Sequence, residues 1–385
     1  MQTPIELQPV RVFGGFYIPD EEIPREVHLE LTARCNLNCA FCYRQSWPGP
    51  FEHMDFNLFK KVVGELEDVG VEVVWLSGWG EPLYHPRFRR ALELLAGRFR
   101  IGIVSNGVLL SKYAEDIVSA GVDWVVLSVD SFQRDLYEVL REGAQLQAVE
   151  EGMGRLDALR RDAGGKPSIW VSTILMRSNY RSLPEHVDRA SGLGANGMLL
   201  SNLIPTTPDM VEEALYIGGP PEDLPSVMHR ARMRAVITNV RLVEPEFTYR
   251  TERSCPFINN KMLAITWDGD VSPCLFALHD YLAWIDGREK RIKRITFGNL
   301  RNTSLMDVWN SPGYVRFRAY VRLVQYPSCN DCQFEEFCDF AASNESDCWG
   351  NSPSCAACPY YRRVVQCPYS ELIEVVRLIR QYPVH

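Results

Sequence analysis

The sequence predicts an α/β fold: a parallel sheet made of strand–helix units, followed by a small cysteine-rich unit. Three observations predict it. Short apolar runs rich in β-branched residues alternate with amphipathic stretches from Arg25 to about residue 236, as parallel strands joined by crossover helices do. The strand ends carry short turns rich in Gly, Asn and Ser. Nine of the twelve cysteines lie beyond residue 254, where the alternation stops.

The totals bound the function. A chain of 385 residues, 46% hydrophobic, can bury the cores of two domains. The net charge of −8 with no basic stripe excludes a nucleic-acid platform. The one basic run, Arg288 to Arg294, follows Asp286-Gly287 and is expected to be a solvated hairpin loop. The start, MQTPIELQPVRVFGG, has no basic stretch leading into an apolar one, so no signal peptide is expected. No run of 18 apolar residues exists to span a membrane. Cysteines without an export signal point to metal ligands in a reducing cytoplasm rather than to disulfides.

Taken in order, residues 1–24 are expected to form a short β-extension. Strands are expected at Val27–Leu31, Val71–Leu76, Arg100–Val104, Val122–Val129, Ser168–Leu175 and Gly197–Leu203. Helices fall between them near 55–69, 86–96, 112–120, 133–141, 145–161 and 183–191, with a longer one at 223–236. Right-handed crossovers join such units. Periodicity alone does not choose between an open doubly wound sheet and a barrel, but in both, ligands collect at the carboxyl ends of the strands.

The first strand runs into Cys35-Asn-Leu-Asn-Cys39-Ala-Phe-Cys42. Three thiolates at this spacing can hold one face of an iron–sulfur cube and leave its fourth iron without a protein ligand. Structural clusters usually take four cysteines, so an open iron points to chemistry. Two plainer readings compete. A zinc site needs a closed tetrahedral set, and the nearest spare ligand, His53, lies beyond Pro48-Gly49-Pro50. Buried thiols on one helical face would require a helix that Asn36 and Asn38 disfavour.

At these residues, with Phe41 just before the last cysteine, the chain resembles the radical SAM superfamily. The resemblance implies a partial (β/α)6 TIM-like barrel over residues 25–245 and a [4Fe–4S] cluster held by Cys35, Cys39 and Cys42. It also implies that the open iron chelates S-adenosylmethionine (SAM), whose reductive cleavage yields a 5′-deoxyadenosyl radical that abstracts hydrogen from substrate. Later turns are similar to further motifs of that family. Gly78-Trp79-Gly80-Glu81-Pro82 resembles its GGEP motif, which binds the SAM amino group through bare backbone. Ser105-Asn106-Gly107 resembles its (T/S)NG turn. The polar residues of Ser128-Val129-Asp130 are implied at the SAM ribose and Arg141 at the SAM carboxylate, where a guanidinium binds in bidentate fashion. Thr173, Asn202 and the loop at Pro205 are candidates for the substrate side, and Glu30 and Asp130 are acid–base candidates by placement alone.

The second half, residues 246–385, resembles the SPASM extension of radical SAM enzymes. Cys255-x13-Gly269-x4-Cys274 brackets a hairpin pattern with Asp268-Gly269 at its turn. Cys329-x2-Cys332-x5-Cys338 follows, then Cys348, Cys355-x2-Cys358 and Cys367. The resemblance implies two auxiliary [4Fe–4S] clusters, which need eight cysteines. By analogy Cys329, Cys332 and Cys338 share one and Cys255 and Cys274 the other. Position 342 is alanine where the extension usually has cysteine, so the share of Cys348, Cys355, Cys358 and Cys367 stays open. The C-x2-C pairs could alternatively form a zinc ribbon.

The expected function is therefore a radical SAM oxidoreductase acting on a peptide or protein, with an electron donor such as ferredoxin or flavodoxin. The stretch from Asp347 to Cys367 resembles a subfamily of maturases associated with tungsten-cofactor oxidoreductases. Alternatives are a ribosomal natural-product peptide maturase, a sulfatase-activating enzyme and, in another class, a non-catalytic iron–sulfur electron-transfer protein.

Overall fold

The computed structural model describes residues 10–13, 16–19 and 23–366. Of the expected N-terminal β-extension, β1 (Val10–Phe13) and β2 (Phe16–Pro19) are described and pair antiparallel. Cys367 lies outside the described residues.

The core is a partial (β/α)6 barrel. β3 (Glu26–Leu29), β4 (Val73–Leu76), β5 (Arg100–Ser105), β6 (Trp124–Ser128), β7 (Ser168–Leu175) and β8 (Gly197–Asn202) lie side by side in chain order, all parallel. The crossovers carry α1 (Phe56–Val69), α2 (Phe88–Leu95), α3 (Leu110–Ser119), α4 (Arg134–Leu140), α5 (Leu146–Asp162) and α6 (Leu183–Gly192). Local chemistry sets their ends. Asp55 caps α1 by accepting the N–H groups of Asn57 and Leu58 at 3.0 Å, and Gly70 ends it at φ 84°, a conformation glycine adopts without a Cβ clash. After α7 (Leu224–Ile237), β9 (Arg241–Val243) extends the sheet beyond β8.

Alternate residues of the strands face the barrel interior, and their sizes shape it. Trp75, Trp124 and Trp170 fill the amino-terminal end with Val73, Val126, Leu199 and Val243. Trp75 and Trp124 stack with ring centroids 5.5 Å apart. A Cβ on Gly102 would overlap Trp75, and one on Gly197 would overlap Trp170, so these glycines make room for the indoles. Two residues after Trp124, Val126 and Trp170, the same faces carry Val126, Ser128 and Ser172, and β8 carries Ser201 two residues after Leu199. Small side chains at the carboxyl ends leave space that the tryptophans deny at the other end.

The second half does not stand apart from this sheet. After α8 (Pro256–Asn259), β10 (Met262–Ile265) and β11 (Val271–Ser272) form the expected hairpin. β10 also pairs parallel with β3, which gives one nine-stranded sheet in the order β11-β10-β3-β4-β5-β6-β7-β8-β9. All four residues of β10 are buried, as a strand covered on both faces requires.

The basic run differs from expectation. Instead of a solvated loop, Arg288–Ile292 is strand β13, paired antiparallel with β12 (Tyr281–Ile285). Asp286 and Gly287 both take positive φ, 56° and 79°, as a two-residue hairpin turn needs. Strand alternation exposes Glu289 and Arg291 and buries Lys290 and Ile292. Arg294 pairs with Asp268 at 2.8 Å and Asp270 at 2.5 Å. The charges are absorbed by the fold. α9 (Leu305–Trp309) and α10 (Pro312–Arg322) are the last α-helices among the described residues. No helix among the described residues is long and apolar enough to cross a membrane.

Candidate functional site

The cysteine loop leaves β3 at the carboxyl end of the sheet and is held from two sides. The Glu81 N–H donates to the carbonyl of Arg34 at 2.9 Å. Opposite, the N–H groups of Asn38 and Ala40 donate to the carbonyls of Glu142 at 2.9 Å and Leu140 at 3.0 Å, at the end of α4. Gly80 is packed so tightly that a Cβ would overlap the Thr32 and Arg34 carbonyls, and a Cβ on Gly78 would overlap Glu30. Glycine is required at both positions for the two loops to meet.

Glu81 joins this turn to the next. Its carboxylate accepts the Leu83 N–H at 3.1 Å, the Ser105 hydroxyl at 2.8 Å and the Asn106 N–H at 2.7 Å. Burial pushes its carboxyl up to about 7, against the pull of these donors. Asn106 in turn reaches the cysteine loop, its Nδ2 2.9 Å from Asn36 Oδ1 and 3.7 Å from Cys35 Sγ. Arg141 Nη1 lies 3.9 Å from Cys39 Sγ, and its guanidinium sits 5.4 Å above the Phe41 ring. Its Nε pairs with Asp130 at 2.7 Å.

A cavity of about 310 Å³ opens at this end of the sheet. Cys35, Cys39, Phe41, Cys42, Gly78, Trp79, Gly80, Glu81, Ser105, Asn106, Ser128 and Arg141 all line it. Pro82 and Asp130 do not. Pro82 starts the 3-10 turn behind Glu81, while Asp130 is fully buried, accepting the Ile174 N–H at 2.9 Å and holding Arg141 from behind. Of the substrate-side candidates, Asn202 lines the cavity and Thr173 does not; its hydroxyl donates to the Val129 carbonyl at 2.8 Å. Glu30 is also off the wall. It accepts the Trp79 N–H at 2.9 Å and the Trp267 N–H at 3.3 Å and meets His279 Nε2 at 2.9 Å, so its carboxylate ties the turn to the second half.

Sequence reasoning missed Ser172, Ser201, Tyr360 and Gln366, which also line the cavity. The serines were legible as small residues two positions after the interior residues Trp170 and Leu199. The last two come from a returning segment: the Gln366 N–H donates to Ser201 Oγ at 3.2 Å, and Asn202 Nδ2 donates to the Val364 carbonyl at 2.8 Å. Nothing local in the sequence announces that crossing.

The other cysteines fall into two sets. Cys255, Cys274, Cys355 and Cys358 line the far end of the same cavity. Burial pushes each of these thiols upward, and the charges of the others add to it for Cys255, Cys274 and Cys355. Cys329 lies instead within electrostatic reach of Cys338 and Cys348, and burial raises its thiol to about 11. Cys332 joins that second set through its N–H, which donates to the Cys329 carbonyl at 3.0 Å.

The donor chemistry suits iron–sulfur clusters. Burial raises the Cys35 thiol to about 12 and the Cys39 thiol to about 11, and Cys42 also upward, and a bound metal would favour their thiolate forms. Every cysteine among the described residues is free of a disulfide. Among the described residues no three His, Cys, Asp or Glu side chains converge on one metal ion; thiolates at the corners of a cube bind different irons and need no such convergence.

Comparison with known proteins agrees. A family model described as the radical SAM superfamily matches residues 29–190, and one described as an iron–sulfur cluster-binding domain, SPASM, matches residues 255–333. The chain is 38% identical to the tungsten-containing aldehyde ferredoxin oxidoreductase cofactor-modifying protein of Pyrococcus furiosus, over 89% of this chain and 96% of that one. It is 24% identical to a probable GTP 3′,8-cyclase of Methanococcus maripaludis, over 65% of this chain and 85% of that one. Among solved structures it shares its fold with Streptococcus suis SuiB bound to precursor peptide SuiA (TM-score 0.61, 16% identity, 87% of this chain and 76% of that one). It shares it also with anSMEcpe with bound AdoMet (TM-score 0.59, 14% identity, 93% and 96%).

Proposed function

The chain belongs to the radical SAM superfamily and carries a SPASM iron–sulfur domain, and from that premise we propose that it is the maturase of a tungsten-cofactor oxidoreductase. It is an enzyme that uses a [4Fe–4S] cluster, SAM and auxiliary iron–sulfur clusters. The observation that carries the finer reading is the 38% identity to the Pyrococcus furiosus cofactor-modifying protein across nearly the whole of both chains. In this reading residues 25–245 generate the radical and residues 246–385 hold the auxiliary clusters.

Cys35, Cys39 and Cys42 would hold the first cluster, and the bare backbone of Gly78, Trp79 and Gly80 would meet the SAM amino group. A cluster and SAM held there would supply one-electron reductive cleavage of the sulfonium and hydrogen-atom abstraction from the substrate. The protein's own part is to orient and to exclude water. Asn106 and Arg141 donate toward the sulfurs of Cys35 and Cys39, which stabilises their thiolates. Glu81 keeps the two motif turns in register. Asp130 fixes the Arg141 guanidinium, which leaves its outer nitrogens to face a carboxylate in the cavity. Ser105 and Ser128 offer hydroxyls on the same wall.

The substrate would enter beside Ser172, Ser201 and Asn202. Asn202 Oδ1 is buried with no hydrogen-bond partner among the described residues, and it suits an N–H or O–H donor on the substrate. Cys255, Cys274, Cys355 and Cys358 would hold the auxiliary cluster nearer the cavity, and Cys329, Cys332, Cys338 and Cys348 the outer one, with Cys367 left over. A ferredoxin or flavodoxin would supply electrons, and the substrate would be the cofactor-bearing oxidoreductase or a peptide segment of it.

The test is anaerobic incubation of the reconstituted protein with SAM, dithionite and a tungsten aldehyde oxidoreductase isolated from cells lacking this enzyme. We expect 5′-deoxyadenosine to rise several-fold over the substrate-free rate, with a mass change in the oxidoreductase or its cofactor. An unaltered rate and mass would exclude that substrate while leaving SAM cleavage intact.

A further inference from the structure

Lys290 is buried, with 6% of its surface exposed, in the middle of β13 opposite Ala283. Strand alternation puts it on the side of Ile292, where an apolar residue would satisfy the packing. A lysine is almost never buried there without anions to hold it, because desolvating an ammonium costs several kcal/mol.

The β12–β13 hairpin touches both cysteine sets. Ala283, Ile285 and Ile292 share an apolar cluster against which Cys274 and Cys358 pack. The hairpin is also fastened to the loop that carries the outer set. Asn330 donates to Asp286 at 2.7 Å, the Lys293 N–H donates to Asn344 Oδ1 at 2.6 Å, Arg291 bridges to Ser343, and Arg288 donates to the Glu335 carbonyl. Burial pulls the Lys290 ammonium downward, and Cys329 of the outer set, Glu335, Cys358 of the inner set and Asp286 pull it back up.

We propose that Lys290 is a positioning residue for electrons: its buried ammonium, on a hairpin that touches both cysteine sets, raises the reduction potentials of both auxiliary clusters. This rests on the assignment of those two sets to clusters. Each cluster gains one negative charge when it takes up one electron. A fixed cation nearby therefore stabilises the reduced form more than the oxidised one, and net charge is among the main determinants of cluster potential. Asp286 acts in the opposite sense, since its carboxylate offsets part of that cation.

The test is a redox titration of the anaerobically reconstituted, substrate-free enzyme, followed by electron paramagnetic resonance. Lys290→Met should move both auxiliary potentials negative, by about 59 mV for a tenfold change in a one-electron equilibrium. It should leave the cluster at Cys35, Cys39 and Cys42 unmoved. Asp286→Asn, which keeps the shape and suits the positive φ of the hairpin turn, should move them positive. Lys290→Arg should stay near the parent. A merely structural salt bridge would send both variants the same way or move neither, and either result overturns the proposal. Should Lys290→Met lose auxiliary iron, Asp286→Asn decides alone: a positive shift supports the proposal and none overturns it. Absence of auxiliary iron in the parent protein would instead overturn the cluster assignment.

Discussion

Gly80 backs onto the carbonyl oxygen of Thr32 so closely that a Cβ on it would overlap that oxygen. The overlap is with backbone, which cannot swing aside as a flexible side chain could. Gly80→Ala must therefore push the turn away from the cysteine loop. Forced overpacking costs about 1–3 kcal/mol, and we expect iron at the first site and 5′-deoxyadenosine production to fall about tenfold or more, with the auxiliary iron retained. Iron analysis and chromatography of the products check this.

Glu81 should make stability depend on pH. Burial raises its carboxyl from about 4.5 to about 7 in the folded protein, so the neutral form is the one folding favours. Its contribution is fully present below about 4.5 and is lost as pH rises through about 7. The loss is on the order of 3 kcal/mol. Urea denaturation of the iron-free protein should show parent stability falling over that window relative to Glu81→Gln. A difference curve flat in pH would contradict the burial of this charge.

The two late cysteine sets should be separable. Cys355→Ala with Cys358→Ala, or Cys338→Ala with Cys348→Ala, should each remove about four irons, one cube's worth. Both should leave uncoupled SAM cleavage at the Cys35 site. Bound zinc in place of the lost iron in the parent protein would favour the ribbon reading instead.

The small residues at the carboxyl ends of β6, β7 and β8 should matter for substrate and little for folding. Ser172→Leu or Ser201→Leu would fill the cavity where Trp170 and Leu199 fill the other end. We expect substrate turnover to fall several-fold while substrate-free 5′-deoxyadenosine formation persists, read by the ratio of the two.

The strand–helix order was legible because each buried strand is a short apolar run and each helix has a capped, amphipathic face, as with Asp55 and Gly70 around α1. The residues of the first cavity wall were legible as motifs at strand ends. What was not legible is long-range. Met262–Ile265 reads as one arm of a hairpin, and nothing local says that its other edge meets β3. Arg288–Ile292 reads as a charged loop because composition hides the alternation that buries Lys290. Asp130 and Arg141 were both expected to face SAM, whereas Asp130 spends its charge on Arg141, a pairing set by how β6 and the end of α4 converge.

The most direct measurement is 5′-deoxyadenosine formation from SAM by the anaerobically reconstituted, dithionite-reduced protein and its Cys35→Ala, Cys39→Ala and Cys42→Ala variants. The parent should form it, and each variant should lose it while keeping auxiliary iron. Formation that survives in all three variants would contradict a radical-generating cluster at this loop.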